Sequence, residues 1–304
     1  MRHTVLGVGD DGAIVRPASG MDLVVSTDML ASGTHFLPDA EPEALGWKAL
    51  AVNLSDLAAM GAQPRWAVIA AALPEADETW IAAFARGLFA CAEAFDVDVI
   101  GGDTTRGPLN LVPTVFGEVP RGQAITRAGA RSGDDIWVSG TPGLAALELN
   151  YRLGKVSLHE AAVAPCLAAL DRPQPRVSLG LALRGLATAA IDVSDGLLAD
   201  LGHILERSAL AADIEFARLP RAARDACADA ALAQQCLVAG GDDYELAFSA
   251  PPARRVDIEA LSAQLGLPLT RIGRLRAGPA KELVLRDAAG QPMPLGRRGF
   301  DHFA

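Results

Sequence analysis

Six aspartates stand out in this 304-residue chain, each inside a short frame of small residues. They are Asp11 in GVGDDGA, Asp28 in VVSTDML, Asp56 in NLSDLAAMGA, Asp103 in IGGDTTRG, and Asp192 and Asp195 in AIDVSDGL. Small neighbours let the backbone approach a ligand and leave the carboxylate within reach. Hard carboxylate oxygens suit Mg²⁺, which takes one or two per ion beside waters and substrate phosphates. The pattern is that of a metal–phosphate site. Two like charges about 4 Å apart repel by roughly 4 kcal/mol at an effective dielectric of about 20. Converging aspartates would therefore need cations between them.

Several polar groups accompany the aspartates. Ser26 and Thr27 precede Asp28 at the end of a β-rich run, and the same triplet also fits a helix N-cap. Asn53 and Asp56 are three apart and share a helix face. A solvated face is the ordinary reading, although Ala58, Ala59, Gly61 and Ala62 suggest close packing. Gly101–Gly107 follows a short strand, where its amides are suited to cradle a phosphate. Ser194 lies between the last two aspartates, and Gly240–Glu245 spells GGDDYE. His35 and Arg127 are lone charged or titratable groups among small residues, and a rim salt bridge explains Arg127 equally well. Gly7–Gly12 matches the G-x-G-x-x-G dinucleotide fingerprint, but no strand of useful length precedes it and Pro17 blocks a helix after it. A tight turn explains it more simply. Gly133-Asp134-Asp135 is read as a turn before a strand. P-loop, G-x-S-x-G and H-E-x-x-H patterns are absent from the sequence.

The elements that must position these residues alternate between β and α patterns. Strands are expected at 22–26, 66–72, 97–100, 111–119, 136–139, 191–193, 213–216, 244–249, 269–272 and 282–286. Helices are expected at 42–60, 78–95, 143–153, 158–170, 177–190 and 196–208. The first of these helices carries Leu45, Leu50, Leu54 and Leu57 on one face, and the second carries Trp80, Phe84, Leu88 and Cys91. The turn-rich stretch 117–133 puts a domain boundary near Gly122, dividing the chain into 1–122 and 123–304. The fold class is α/β (α+β), in two domains.

Net charge is −10 with a pI near 5.0, and there is no basic stripe. Nucleic acid and anionic membrane are excluded as partners on that ground. The four cysteines form no C-x-x-C pair, no apolar run reaches membrane-spanning length, and residues 1–8 lack a signal-peptide core. The expected location is the cytoplasm.

The segments GVGDDGAIV, VVSTDML with THF, GWKALAVNLSDLAAMGAQP, IGGDTTRGPL, IDVSDGLLADLGHI, GGDDYELAF and RRGFDHF occur in this order. Together they resemble the thiamine-monophosphate kinase family over nearly the whole chain. That family shares an ATP-binding fold with aminoimidazole ribonucleotide synthetase, selenophosphate synthetase and a hydrogenase maturation protein. The resemblance implies an N-terminal mixed-sheet domain that forms a β-barrel with its copy in a homodimer, and a C-terminal α/β domain. It implies Mg²⁺-dependent transfer of phosphate from ATP to thiamine monophosphate. By the same resemblance, Asp11, Ser26, Thr27, Asp28, Asp56, Asp103, Asp192 and Asp195 would bind several Mg²⁺ ions. Gly102, Asp103, Arg127 and Ser194 would contact the nucleotide, and His35, Asp242 and Phe300 the thiamine substrate. No general base is assigned. Asp242 stands where glutamate is usual, and Phe300 where tryptophan or tyrosine is common. A relative of the aminoimidazole ribonucleotide or selenophosphate synthetase type is the alternative reading, although no cysteine precedes Cys91. A non-catalytic nucleotide sensor is another, against which stand the six intact aspartates.

Overall fold

A computed structural model describes residues 2–294, 296, 299 and 300. Of the tail motif RRGFDHF only Gly299 and Phe300 fall among them; the rest lies outside the described residues. The first part of the chain runs β1 (Thr4–Leu6), β2 (Ile14–Val15), β3 (Met21–Thr27), β4 (Leu30–Ala31), α1 (Pro42–Ala59), β5 (Gln63–Leu73), α2 (Glu78–Ala94), β6 (Asp98–Arg106) and β7 (Asn110–Pro120). The second part begins with β8 (Asp135–Ser139), α3 (Leu144–Arg152), α4 (Glu160–Asp171), α5 (Val177–Ala182), β9 (Ala189–Val193) and α6 (Leu197–Ser208). It ends with β10 (Ala211–Glu215), α7 (Ala222–Asp225), α8 (Ala230–Ala239), β11 (Glu245–Ala250), α9 (Arg255–Leu265), β12 (Leu269–Arg276) and β13 (Leu283–Arg286). The architecture is mixed α and β in two domains.

The first sheet has the order β3-β7-β5-β6, with β4 also on β7. Helices α1 and α2 cover one face, and Leu50, Leu54, Leu57, Phe84 and Leu88 meet Leu111 and Val115 in its core. Helix α1 starts cleanly because the Glu41 carboxylate accepts the amides of Glu43 and Ala44, at 3.0 and 2.6 Å, with Pro42 in the first turn. The two helices touch through their backbones. A Cβ on Gly46 would lie 2.0 Å from the Phe84 carbonyl oxygen, and one on Gly87 would lie 1.7 Å from that of Glu43. Helix α5 meets α1 in the same way, since a Cβ on Gly180 would fall 2.0 Å from the Ala58 oxygen. The other face of this sheet is uncovered: Leu23 and Val25 of β3 are 41% and 53% exposed, while their neighbour Val24 is buried.

The second sheet runs β13-β10-β12-β8-β11-β9, antiparallel throughout except for β10 beside β13. Helices bury both its faces, so β8, β9 and β11 are buried along their whole length. Among the described residues neither sheet closes on itself. No described helix is long and apolar enough to cross a membrane.

Three expectations need correction. The segment Gly101–Gly107 is not the loop expected after a short strand. Strand β6 continues through it to Arg106, parallel to β5, and Gly102 fits because a Cβ there would strike the Ile69 oxygen at 2.0 Å. The helix expected to reach Ala190 stops at Ala182. Gly185 turns the chain with φ of +73°, and 189–193 pairs with β11 instead. Helices α8 and α9 were not foreseen, although Asp229 caps α8 by accepting the Ala231 and Leu232 amides at 3.1 and 3.0 Å.

Candidate active site

A cleft of about 520 Å³ opens between the two domains, floored by one stripe of α1. Lys48, Val52 and Asp56 are spaced by four on that helix, so they line up along it. Asn53, one step from the stripe, is fully buried, which removes the solvated-face reading. Its Oδ1 accepts the Asp28 amide at 2.8 Å, and its own amide donates to the Ala49 carbonyl. The Ser26 hydroxyl donates to Asp56 Oδ2 at 2.6 Å. Helix α1 thus holds the end of β3 by two side-chain bonds and places Asp28 beside Asp56. No helix begins at Ser26-Thr27-Asp28, so the N-cap alternative does not hold either.

The second domain supplies the opposite wall from two loops. After β9, the turn Ser194–Gly196 leads into α6. The Asp200 carboxylate accepts the amides of Ser194, Asp195 and Gly196 at 3.0, 3.1 and 3.1 Å. Before β11, the Asp242 amide donates to the Ser194 carbonyl and the Tyr244 amide to that of Val193, both at 2.8 Å. The tail comes to the same place, where the Phe300 amide donates to the Asp195 carbonyl at 2.9 Å. The Phe300 ring is 47% exposed and borders the cleft.

Electrostatics divide the cleft. Crowding by the protein, then the charges of Asp56 and Asp195, pushes the Asp28 carboxyl up to about 6, although the side chain still meets cleft water. Burial raises Asp56, against the pull of the Ser26 hydroxyl and Arg127. Burial, followed by Asp56 and Asp200, holds Asp192 well above the usual carboxylate range. Asp200 is pushed up to about 7 by burial and Asp195, with the three amides pulling the other way. Away from this acidic end the lining turns apolar, with Leu149 and Leu153 at α3 and Leu170 on α4.

Of the predicted site residues, the cleft is lined by Asp28, His35, Asp56, Asp192, Ser194, Asp195, Asp242 and Phe300. The His35 Nδ1 accepts the Ala31 amide at 3.1 Å. Ser26 sits just behind, through its bond to Asp56. The remaining five do not line it. Thr27 and Asp103 belong to the uncovered side of the first sheet, where Thr27 pairs with Thr114 and Asp103 with Ala70. Gly102 is packed on β5. Asp11 is exposed, its amide bonded to the Asp10 carboxylate at 2.9 Å in the turn between β1 and β2. Arg127 is exposed, and its charge is felt by Asp56. The residues missed from the sequence are Lys48, Tyr244 and Asp200. The spacing of Lys48 from Asp56 by two helical turns was the available signal for the first.

A hard divalent cation fits the acidic end. The donors are carboxylate oxygens that repel one another, and the described cysteines are buried elsewhere. Among the described residues, no three His, Cys, Asp or Glu side chains already form a metal-binding group. This suits Mg²⁺, which keeps several waters and binds one or two carboxylates beside substrate phosphates.

Residues 9–119 match the family described as AIR synthase related protein, N-terminal domain. The chain is 45% identical to the thiamine-monophosphate kinase of Escherichia coli O157:H7 over 303 residues, covering 98% of this chain and 92% of that protein. It is similar to the crystal structure of thiamine-monophosphate kinase from Stenotrophomonas maltophilia K279a, with a TM-score of 0.88 and 48% identity, covering 96% of this chain and 92% of that one. It is also similar to AaThiL complexed with AMPPCP and TMP, with a TM-score of 0.80 and 30% identity over 97% of this chain and 92% of the other. The chain belongs to the thiamine-monophosphate kinase family.

Proposed function

We propose that this protein phosphorylates thiamine monophosphate to thiamine diphosphate with ATP as donor. The observation that carries this reading is an acid-lined interdomain cleft in a chain that matches a member of the kinase family over 98% of its length. Phosphoryl transfer asks the protein mainly to position two phosphates and offset their charge. Asp28, Asp56, Asp192 and Asp195 would hold Mg²⁺ ions, which when bound supply the charge neutralisation that lets two anions approach. A phosphate monoester has its second pKa near 6 and is largely ionised at neutral pH, so its oxygen can attack the γ-phosphorus in line, with ADP leaving, and no general base is needed. Ser194 would contact the nucleotide from the second wall, with Arg127 on its phosphates. His35, Asp242 and Phe300 would bind the thiamine moiety. The aromatic face of Phe300 suits a cationic thiazolium or a flat ring.

Asp11, Thr27, Gly102 and Asp103 belong to this scheme through assembly. The uncovered apolar face around Val25 is one that a single chain cannot bury, which supports a two-fold homodimer completed through the first sheets. Residues 1–122 would then carry nucleotide, metal and dimer contacts, and 123–304 would cover the substrate. A cytoplasmic location accords with this chemistry.

Chromatography of products from purified protein, ATP, Mg²⁺ and thiamine monophosphate tests the reading. Thiamine diphosphate is expected, with little product from free thiamine. Preferential phosphorylation of the free thiamine hydroxyl would overturn it. Light scattering at micromolar concentration should give a dimer, and an active monomer would remove that part.

A further inference from the structure

Lys48 has no place in the scheme so far, and its position is unusual. Lysine is rarely buried without a partner, yet its side chain is only 6% exposed, at the floor of the cleft. Its ammonium donates to Asp242 Oδ2 at 2.6 Å, from the first domain to the second. The other carboxylate oxygen, Oδ1, accepts the Tyr244 hydroxyl at 2.9 Å. Both oxygens are therefore engaged from different directions, which fixes the plane of the carboxylate while leaving each oxygen a second lone pair.

The loop that carries Asp242 is shaped for this. Asp242 and Tyr244 adopt left-handed φ values of +72° and +52°, unfavourable for residues with a Cβ. The surrounding acidic groups are tied down inside the second domain. Asp243 accepts the Gly143 amide at 2.8 Å, and Glu245 is gripped by the Arg176 guanidinium through two bonds of 2.6 Å. From this acidic run, Asp242 reaches across to α1.

We propose that Lys48 and Tyr244 are positioning residues that hold the Asp242 carboxylate for hydrogen bonding to the amino-bearing heterocycle of the phosphorylated substrate, and that Lys48 keeps this carboxylate apart from the metal-binding aspartates. The proposal rests on the function proposed above. Its chemical sense lies in the division of the cleft. Asp28, Asp56, Asp192 and Asp195 face one another with little cationic relief, whereas Asp242 arrives already paired. One carboxylate is thereby reserved for a neutral or weakly basic amine donor, while the others await cations.

A double-mutant cycle tests this by steady-state kinetics on full-length protein, with KM for thiamine monophosphate and for ATP measured separately and thermal melting followed in parallel. Lys48→Met and Asp242→Asn should each raise KM for thiamine monophosphate about 10-fold or more, with KM for ATP nearly unchanged. The combined variant should be no worse than the worse single one, because both act through one carboxylate. Lys48→Arg should recover part of the loss. Tyr244→Phe, which keeps the ring, should give a smaller rise of about 3-fold, and it carries the test if Lys48→Met does not fold. Additive effects, or a lowered melting temperature with both KM values unchanged in Lys48→Met and Tyr244→Phe, would overturn the proposal while leaving the kinase reading intact. Absence of thiamine monophosphate turnover in the unsubstituted protein would overturn the kinase reading and this inference with it.

Discussion

The two walls of the cleft are built on different principles. On the first-domain wall, side chains of one helix hold a strand end: Ser26 bonds Asp56, and Asn53 accepts the Asp28 amide, all packed into one core. On the second-domain wall, the groups are carried on loops held by their backbones, to one α6 side chain and to one another. Asp200 gathers three amides, the Asp242 and Tyr244 amides hang on the β9 exit, and Phe300 hangs on Asp195. A wall carried on regular elements keeps its geometry when a functional group is changed. A wall made of turns depends for its shape on the same few polar groups that sit beside the chemistry. Substitutions in the first should therefore cost function without stability, and substitutions in the second should cost both.

The largest effect expected is on the first wall. Asp28→Asn and Asp56→Asn should each lower turnover by about 100-fold or more, comparable to removing a principal electrostatic contact, while the metal-free melting temperature stays level or rises because repulsion is relieved. A fall in both turnover and melting temperature would erase the distinction between the walls. Next comes Asp200→Ala. It strips the Ser194–Gly196 amides of their acceptor, at a cost of about 1–3 kcal/mol in denaturant unfolding, and turnover should fall with it. Unchanged stability in that variant would mean that the turn is held by something else.

Phe300→Ala should do less, raising KM for thiamine monophosphate about 2–30-fold with KM for ATP unmoved. Phe300→Trp should be tolerated. A stability loss with both KM values intact would make it a mere tail anchor.

The smallest effect is one of pH. The Asp28 carboxyl, raised from 3.8 to about 6, binds a proton in the folded protein that the unfolded chain gives up between those values. Its contribution to stability is complete below the lower value and lost as pH rises through about 6. In chelator, the melting temperature of the unsubstituted protein minus that of Asp28→Asn should thus increase as pH is lowered from 7 to 5. Contact with cleft water keeps the change modest. A difference that shrinks on acidification would contradict this environment for Asp28.

Much of the first domain could be read from the sequence because its signals are local. Leu50, Leu54 and Leu57 mark the buried stripe of α1, and Val24 between exposed Leu23 and Val25 marks β3. Strand β6 could not be traced past Ile100, because Gly101 and Gly102 read as a loop and only parallel pairing with β5 makes them strand. Asp28, Asp56, Asp192 and Asp195 were legible because each sits in a distinctive frame of small residues. Lys48 offered only its spacing from Asp56: a lysine on an alanine-rich helix reads as solvated until Asp242, 194 positions away, is seen beneath it. The open face of the first sheet explains why Thr27 and Asp103 stand off from a cleft that their motifs suggested they would join.

The glycine contacts between α1 and its neighbours bear on how the protein can change. Gly46 of α1 and Gly87 of α2 meet on the side of α1 away from the cleft, and each leaves no room for even a methyl group against a partner carbonyl. With backbone on backbone there is no rotamer to yield, so a substitution at either must displace the whole helix, and Lys48, Val52 and Asp56 would move as one body. In a mutational scan scored only by growth or turnover, these glycines would behave like site residues. In laboratory evolution the route to a reshaped cleft would run through the loops of the second wall, since α1 offers almost no small steps.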